Sequence, residues 1–301
     1  MSLYKMHKIE NSFLKIEVSE MGAELKSLID KRVDFECIWQ GDNRFWAKSS
    51  PILFPIIGQL KENCYHYDKQ SYYLNRHGFA RDLLFGLVEK SDNSLTFELK
   101  SNDATKKIYP FDFTLAVTYE LYENECMVTY CVINDSNIDL LFSVGGHPAF
   151  NLPEYSQCLN ENYIEFPLDH FLNRFYLNGG LLSIESDQIE LDAKRLFLDN
   201  KMFDQDAWVL KEVQSKEIYL KERSSGNGIL FSFDGFPYLG LWSAPEALFI
   251  CLEPWAGLPD DEKHNQDFHE KEGIIKLSSL SKWSAKWSVR TINQNFLNST
   301  I

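Results

Sequence analysis

Phe113-Thr114-Leu115-Ala116-Val117-Thr118-Tyr119-Glu120-Leu121-Tyr122-Glu123-Asn124-Glu125-Cys126-Met127-Val128-Thr129-Tyr130-Cys131-Val132 is the stretch on which the fold turns. Phe113, Leu115, Val117, Tyr119 and Leu121 place large apolar side chains at every second position. That is the period of a strand with one buried face. The pattern breaks at Glu123-Asn124-Glu125 and resumes at Val128, Tyr130 and Val132, which predicts a hairpin of two antiparallel strands.

The same alternation spreads outward in both directions. Leu95, Phe97 and Leu99 alternate with Thr96, Glu98 and Lys100, and Leu14, Ile16 and Val18 alternate with Lys15, Glu17 and Ser19. Downstream, Ser225-Gly226-Asn227-Gly228 reads as a second hairpin turn ahead of Ile229, Phe231 and Phe233. The chain closes on Trp283, Ala285, Trp287 and Val289, interleaved with polar residues. Helical periodicity is scarce, and one short helix is expected between Ala193 and Phe203. Many strands with few helices can bury their apolar faces only by packing sheet on sheet. With no Pro/Gly-rich linker and no internal repeat, a single all-β domain over residues 1–301 is expected.

Composition narrows the partners. A formal net charge of −14, spread along the chain, repels a phosphate backbone and makes nucleic acid an unlikely ligand. No apolar run approaches a membrane span, and no apolar signal core follows Met1–Glu10. The six cysteines lack the close spacing of a zinc knuckle or a redox motif. The cytoplasm, with these thiols reduced, is therefore the expected compartment. The 22 Phe, 14 Tyr and 7 Trp supply a large core and aromatic faces to spare for flat, half-apolar ligands, sugar rings among them.

Four places break the alternation with residues foreign to a plain β core. Asn75-Arg76-His77-Gly78-Phe79-Ala80-Arg81-Asp82 gathers two arginines and a histidine around a glycine, although a lone histidine is more often structural. Gly145-Gly146-His147-Pro148-Ala149-Phe150-Asn151 follows an apolar strand; its glycines permit close backbone approach, and Pro148 stops further pairing. Glu253 closes the apolar run Ala247–Leu252, where poor solvation would raise its pKa into the range useful for proton transfer. The plainer alternative is that Glu253 reaches water or pairs with an arginine. Phe203-Asp204-Gln205-Asp206-Ala207-Trp208 sets acids beside an indole, a weak signal alone. Two histidines and a carboxylate suit acid/base chemistry on a polar ring, with a metal site as the lesser alternative. The His-x-x-x-His spacing of many zinc hydrolases is missing, as are Gly-x-Ser-x-Gly and a phosphate-binding glycine loop.

In order along the chain, Ser49-Ser50-Pro51-Ile52-Leu53-Phe54-Pro55-Ile56-Ile57-Gly58, Arg76-His77-Gly78-Phe79-Ala80-Arg81, Gly146-His147-Pro148-Ala149-Phe150-Asn151, Asp206-Ala207 and Cys251-Leu252-Glu253-Pro254-Trp255 form a series of blocks. Together they resemble the aldose 1-epimerase (galactose mutarotase) superfamily, in its LacX-like bacterial branch. The resemblance implies a β-supersandwich of two large twisted antiparallel sheets and a cofactor-free, metal-free interconversion of sugar anomers. It assigns Glu253 as base, His147 as acid, His77 as a second histidine near the ring oxygen, and Asp206 as a holder of sugar hydroxyls, with Asp204 as a substitute. Arg76, Asn151, Trp255 and Trp242 are further candidates for contact with the sugar. Gln59 stands where many relatives carry arginine, which leaves the identity of the sugar open. A hexose-6-phosphate mutarotase using Arg76 and Arg81, or a carbohydrate-binding protein without turnover, are the competing expectations. The assembly state, a homodimer included, is left open.

Overall fold

The decisive hairpin forms as strands Phe113–Tyr122 and Glu125–Asn134, in unbroken register from Phe113 opposite Asn134 to Tyr122 opposite Glu125. Glu123 turns the chain with a left-handed φ of 49°. The alternation does what it promised: Phe113, Leu115, Val117, Tyr119 and Leu121 are buried, as are Val128, Tyr130 and Val132 opposite them. The structure, a computed structural model, describes residues 4–153, 156 and 158–293.

This hairpin sits inside a nine-stranded antiparallel sheet. In spatial order its strands are Arg195–Phe197, Asn162–Glu165, Glu217–Glu222, Gly228–Ser232, Lys282–Ile292, Glu125–Asn134, Phe113–Tyr122, Ser94–Lys100 and Gly86–Lys90. A second antiparallel sheet runs Leu181–Glu190, Phe171–Asn178, Trp208–Lys211, Tyr238–Trp242, Phe249–Ala256, Val144–Gly146 and Ile52–Leu53, with Ala149–Asn151 also paired to Phe249–Ala256. A four-stranded sheet, Met6–Glu10 to Phe35–Glu36, covers one end. The architecture is thus an all-β supersandwich of two large sheets. Among the described residues the one α-helix is Asp103–Lys106, capped by the Asn102 side chain, and no helix is long and apolar enough to cross a membrane.

The helix expected between Ala193 and Phe203 does not form. Ala193 and Lys194 both have positive φ, 49° and 70°, and Arg195 donates its N–H to the Asp192 carbonyl at 2.9 Å. Two successive left-handed residues make a tight hairpin turn, which no helix tolerates. The chain then enters the strand Arg195–Phe197, with Leu196 and Leu198 buried at period two.

One continuous cluster of buried side chains joins the sheets. Trp287 donates its indole N–H to the Tyr130 hydroxyl at 2.9 Å, and that hydroxyl would lie 2.8 Å from a Cβ on Gly146. Only glycine lets the Val144–Gly146 strand settle so deeply onto the larger sheet. Gly240 plays a similar part on the other side of the Phe249–Ala256 strand, where a Cβ would lie 2.7 Å from Cζ2 of Trp255. Gly240→Ala should therefore lower stability by about 1–3 kcal/mol through overpacking. Urea unfolding should show this as a lower midpoint at an unchanged slope.

Candidate active site

The Phe249–Ala256 strand is buried along all eight residues, and Glu253 lies within it, opposite Gly240. The strand is longer than the apolar run suggests, continuing through Pro254 to Ala256. Next to it, Val144–Gly146 delivers His147 at its end, where the His147 N–H donates to the Pro51 carbonyl at 3.0 Å. His147 Nε2 and Glu253 Oε2 stand 3.3 Å apart. Trp46 stacks on the His147 ring at 4.8 Å between centroids, and Trp242 and His77 meet it edge-on, each at 5.8 Å. These contacts leave the imidazole little freedom to rotate.

His77 is held by its backbone. Its φ is 69° and that of Gly78 is 70°; a Cβ on Gly78 would meet the Phe54 carbonyl oxygen at 2.2 Å. The His77 N–H donates to the Gly58 carbonyl at 2.8 Å, and the Gly58 N–H donates to His77 Nδ1 at 3.1 Å. The Arg76 Nε–H donates to the other ring nitrogen, Nε2, at 3.3 Å. Burial, with His147, Arg76 and Arg81 nearby, holds the His77 pKa well below its ordinary value.

These groups line a cavity of about 260 Å³. His77, His147 and Glu253 share it with Arg76, Asp206 and Trp255, while Trp46, Trp242, Arg81 and Ala207 complete the wall. Arg76 Nη2 lies 3.4 Å from Asp206 Oδ1, which also accepts the Ala207 N–H at 2.8 Å. Asp206, at φ 75°, is part of the lining, whereas Asp204 is exposed and outside it.

Two expected contacts are not in the wall. Asn151 spends its amide N–H groups on the Glu36 and Ile38 carbonyls, at 2.9 and 3.0 Å, fastening the small N-terminal sheet. Gln59 lies against Gly180, its Oε1 2.6 Å from where a Cβ would stand, and is no part of the wall. Trp46, Arg81 and Ala207 stand in the wall instead. Trp46 comes from the irregular segment Asn43–Trp46, where no periodicity marks it.

Burial dominates the electrostatics. Loss of water pushes the Glu253 carboxyl up to about 8, with Arg76 and the nearby Trp255 indole pulling it partly back and Asp206 adding to the rise. The Trp255 N–H favours the carboxylate without reaching hydrogen-bond geometry. Burial likewise drives His147 down to about 3. Both shifts favour the neutral forms. Nine buried side-chain polar atoms lack a hydrogen-bond partner among the described residues, and five of them belong to residues that line this cavity: both Glu253 oxygens, His147 Nδ1, Trp255 Nε1 and Arg81 Nε. Folded proteins rarely leave such atoms unpaired, so their concentration marks the seat of a polar ligand.

A second buried charge cluster supports the first. Lys271 Nζ donates to Asp260 Oδ1 at 2.8 Å with both side chains fully buried, and His264 Nδ1 stands 3.4 Å from Oδ2. Oδ2 also accepts the Lys61 N–H at 3.0 Å, the Asp260 N–H donates to the Gln59 carbonyl at 2.9 Å, and Pro259 packs where Gly58 has no Cβ. The pair thereby pins the Gly58–Lys61 segment that holds His77.

Comparison with known proteins agrees with the fold. Two solved structures share the fold. A galactose mutarotase related enzyme from Lactobacillus acidophilus has a TM-score of 0.92 at 30% identity, covering 96% of this chain and 98% of its own. A galactose mutarotase-like protein from Lactobacillus casei has a TM-score of 0.89 at 34% identity, covering 96% and 100%. They define the class, a β-sandwich of galactose mutarotase type. The plasmid protein LacX of Lactococcus lactis subsp. lactis is 30% identical over 300 residues, covering 95% of this chain and 99% of LacX. The aldose 1-epimerase family model matches residues 5–271, and the chain belongs to that family. Membership supports a sugar epimerase or mutarotase function.

Two outcomes follow from the buried charges. Between pH 4.5 and about 8 the folded chain keeps a Glu253 proton that the unfolded chain has released, so this group weakens the fold as pH rises. Glu253→Gln should raise the melting temperature over the parent by a margin that grows from pH 5 to pH 8 and vanishes near pH 4, measured by calorimetry. Lys271→Met should cost about 3–5 kcal/mol, because Asp260 is left buried without its counter-charge, and adding Asp260→Asn should recover part of the loss in urea denaturation.

Proposed function

We propose that the protein is an aldose 1-epimerase that interconverts the α and β anomers of a free, unphosphorylated aldohexose. The observation that carries this reading is the set of unpartnered buried polar atoms around one cavity, with the acid/base pair Glu253 and His147 3.3 Å apart. A pyranose ring offers hydroxyl donors and acceptors at its rim and apolar faces between them. Such a ring suits a wall in which both Glu253 oxygens and the Trp255 indole N–H lack hydrogen-bond partners and Trp46 and Trp242 present indoles.

The chemistry needs only proton movement. In ring opening, the Glu253 carboxylate takes the proton of the C1 hydroxyl while the His147 imidazolium delivers one to the ring oxygen, and the C1–O5 bond breaks to leave an aldehyde. Rotation about C1–C2 presents the other carbonyl face, and closure reverses both transfers. Opening thus ends with Glu253 protonated and His147 neutral. That is the state burial favours. The reactive state, carboxylate beside imidazolium, has to be supported by the sugar, whose hydroxyls supply the hydrogen bonds the empty site lacks. His77, held neutral by burial, stands near the ring oxygen. Asp206, braced by Arg76, accepts from ring hydroxyls.

A neutral sugar is favoured over a hexose phosphate by the surroundings. Arg76 is engaged by Asp206, and Arg81 donates to the Arg76 carbonyl at 2.8 Å. Beyond Asp206 opens a cleft of about 1000 Å³ that carries Glu185, Asp187 and Glu262, a field that repels phosphate. All six cysteines are unpaired, in keeping with work in a reducing compartment such as the cytoplasm.

Polarimetry on freshly dissolved single anomers of glucose, galactose and glucose 6-phosphate tests the proposal. Glu253→Gln and His147→Asn should each cut kcat by about 10²–10⁴-fold with far smaller changes in KM. The double variant should lose much less than the product of the two, since both groups serve one proton exchange. Near-normal turnover by Glu253→Gln would remove the base. A preference for the phosphate that weakens with salt would move the substrate to a phosphorylated hexose.

A further inference from the structure

Cys251 has no part in the reaction above. It lies two residues before Glu253 on the same strand, so both side chains leave the same face. Its thiol is fully buried against Ala149, Ala244, Ala247 and Phe249, just behind the cavity wall. Ligand atoms of His147, Cys251 and Glu253 all lie within 4.8 Å of one another.

We propose that these three residues form an inhibitory seat for a borderline-soft divalent cation such as Zn²⁺. The distances fit. With metal–ligand bonds of about 2.0–2.2 Å to nitrogen and oxygen, neighbouring vertices of a tetrahedral zinc are about 3.4 Å apart. His147 Nε2 and Glu253 Oε2 already stand 3.3 Å apart. The sulfur needs only a short rotation or shift to complete a third vertex at its longer bond. The fourth faces the cavity, open to water or a sugar hydroxyl. The donors also fit: one thiolate, one imidazole and one carboxylate select zinc over magnesium or calcium, which prefer oxygen alone. Neither Glu253 oxygen has a hydrogen-bond partner to surrender.

Binding is coupled to proton release. The Cys251 S–H bond breaks as the metal–sulfur bond forms, and its proton leaves through the cavity to solvent. The Glu253 carboxyl, where protonated, releases a second proton, and the neutral His147 releases none. The charge of the ion overcomes the burial that otherwise keeps the thiol protonated. Affinity therefore rises with pH. Because the ion takes Glu253 and His147 together, it competes with the sugar for both the base and the acid. This inhibition rests on the proposed mutarotase activity; the binding itself does not.

The test separates the two. Metal-free protein is titrated with Co²⁺ and followed by absorption, and with Zn²⁺ against a chromogenic chelator. The parent should bind one equivalent of each, with a thiolate-to-cobalt charge-transfer band and intense tetrahedral visible bands. Cys251→Ala should lose that band and weaken Zn²⁺ binding by roughly ten-fold or more. Cys251→Ser, which keeps the shape but offers no thiolate, repeats the measurement should the alanine variant fold poorly. In polarimetry, Zn²⁺ should inhibit the parent competitively and reversibly with chelator, while Cys251→Ala turns over normally and resists the ion. Equal Zn²⁺ binding by parent and Cys251 variants, or cobalt bound without a thiolate band, would overturn the metal seat. Chelation that abolishes activity instead of restoring it would overturn the inhibitory role. Absent mutarotation in a protein that still shows the thiolate band would sink the proposed reaction alone.

Discussion

A carboxyl group held out of water in the middle of a sheet is the constraint around which this protein is organised. Glu253 occupies a strand buried along its whole length, with no hydrogen-bond partner for either oxygen. An isolated charge in such a place is strongly disfavoured, so the group holds its proton more tightly than an ordinary carboxyl. The surrounding features all bear on that group. Arg76 and Asp206 act on its charge from opposite directions, Trp255 offers an N–H that does not quite satisfy it, and His147 waits 3.3 Å away. The site is stable with its carboxyl neutral and reactive with it charged. In the proposed reaction, a bound sugar shifts it from one to the other.

The second buried charge shows the opposite treatment. Asp260 is as deeply placed as Glu253, yet it has Lys271 at 2.8 Å, His264 beside it and a backbone N–H from Lys61. Its pKa is lowered despite burial, because these partners together outweigh the loss of water. Two carboxylates in one small protein thus illustrate two uses of a dry interior. The satisfied one fixes a loop in place, and the unsatisfied one is left for a ligand.

Much of this was legible in the sequence, for identifiable reasons. Strand alternation at Phe113–Leu121, Leu95–Leu99 and Trp283–Val289 is a local signal, and the sheets follow it closely. His77, His147, Glu253 and Asp206 interrupt such patterns, which is why they stood out, and the fold brings all four to one cavity. What failed to show depends on tertiary direction. The Ala193-Lys194 turn carries neither glycine nor asparagine, so it passed for helix. Gln59 and Asn151 sit in the right segments but point elsewhere, and only backbone geometry decides that. Asp260 and Lys271 look like ordinary surface charges until the chain folds them against each other.

The glycines beside Trp255 have a consequence for how such a protein can diversify. Gly240 leaves no room for a Cβ against the indole, and a Cβ on Gly145 would stand 3.0 Å from its Cδ1 and 2.7 Å from the Pro254 carbonyl oxygen. The strands on either side of Trp255 are therefore packed to their limit, and a side chain introduced at either glycine displaces the indole that lines the cavity. The rim is different: Trp46, Arg76 and Asp206 come from segments outside the regular strands. These rim residues also bear on the two groups of the proposed reaction: Trp46 stacks on His147, and Arg76 and Asp206 act on the charge of Glu253. Under that proposal recognition and reaction are coupled heritable traits, so drift at the rim retunes the proton exchange even while the strand carrying Glu253 stays fixed in the weave of the sheet.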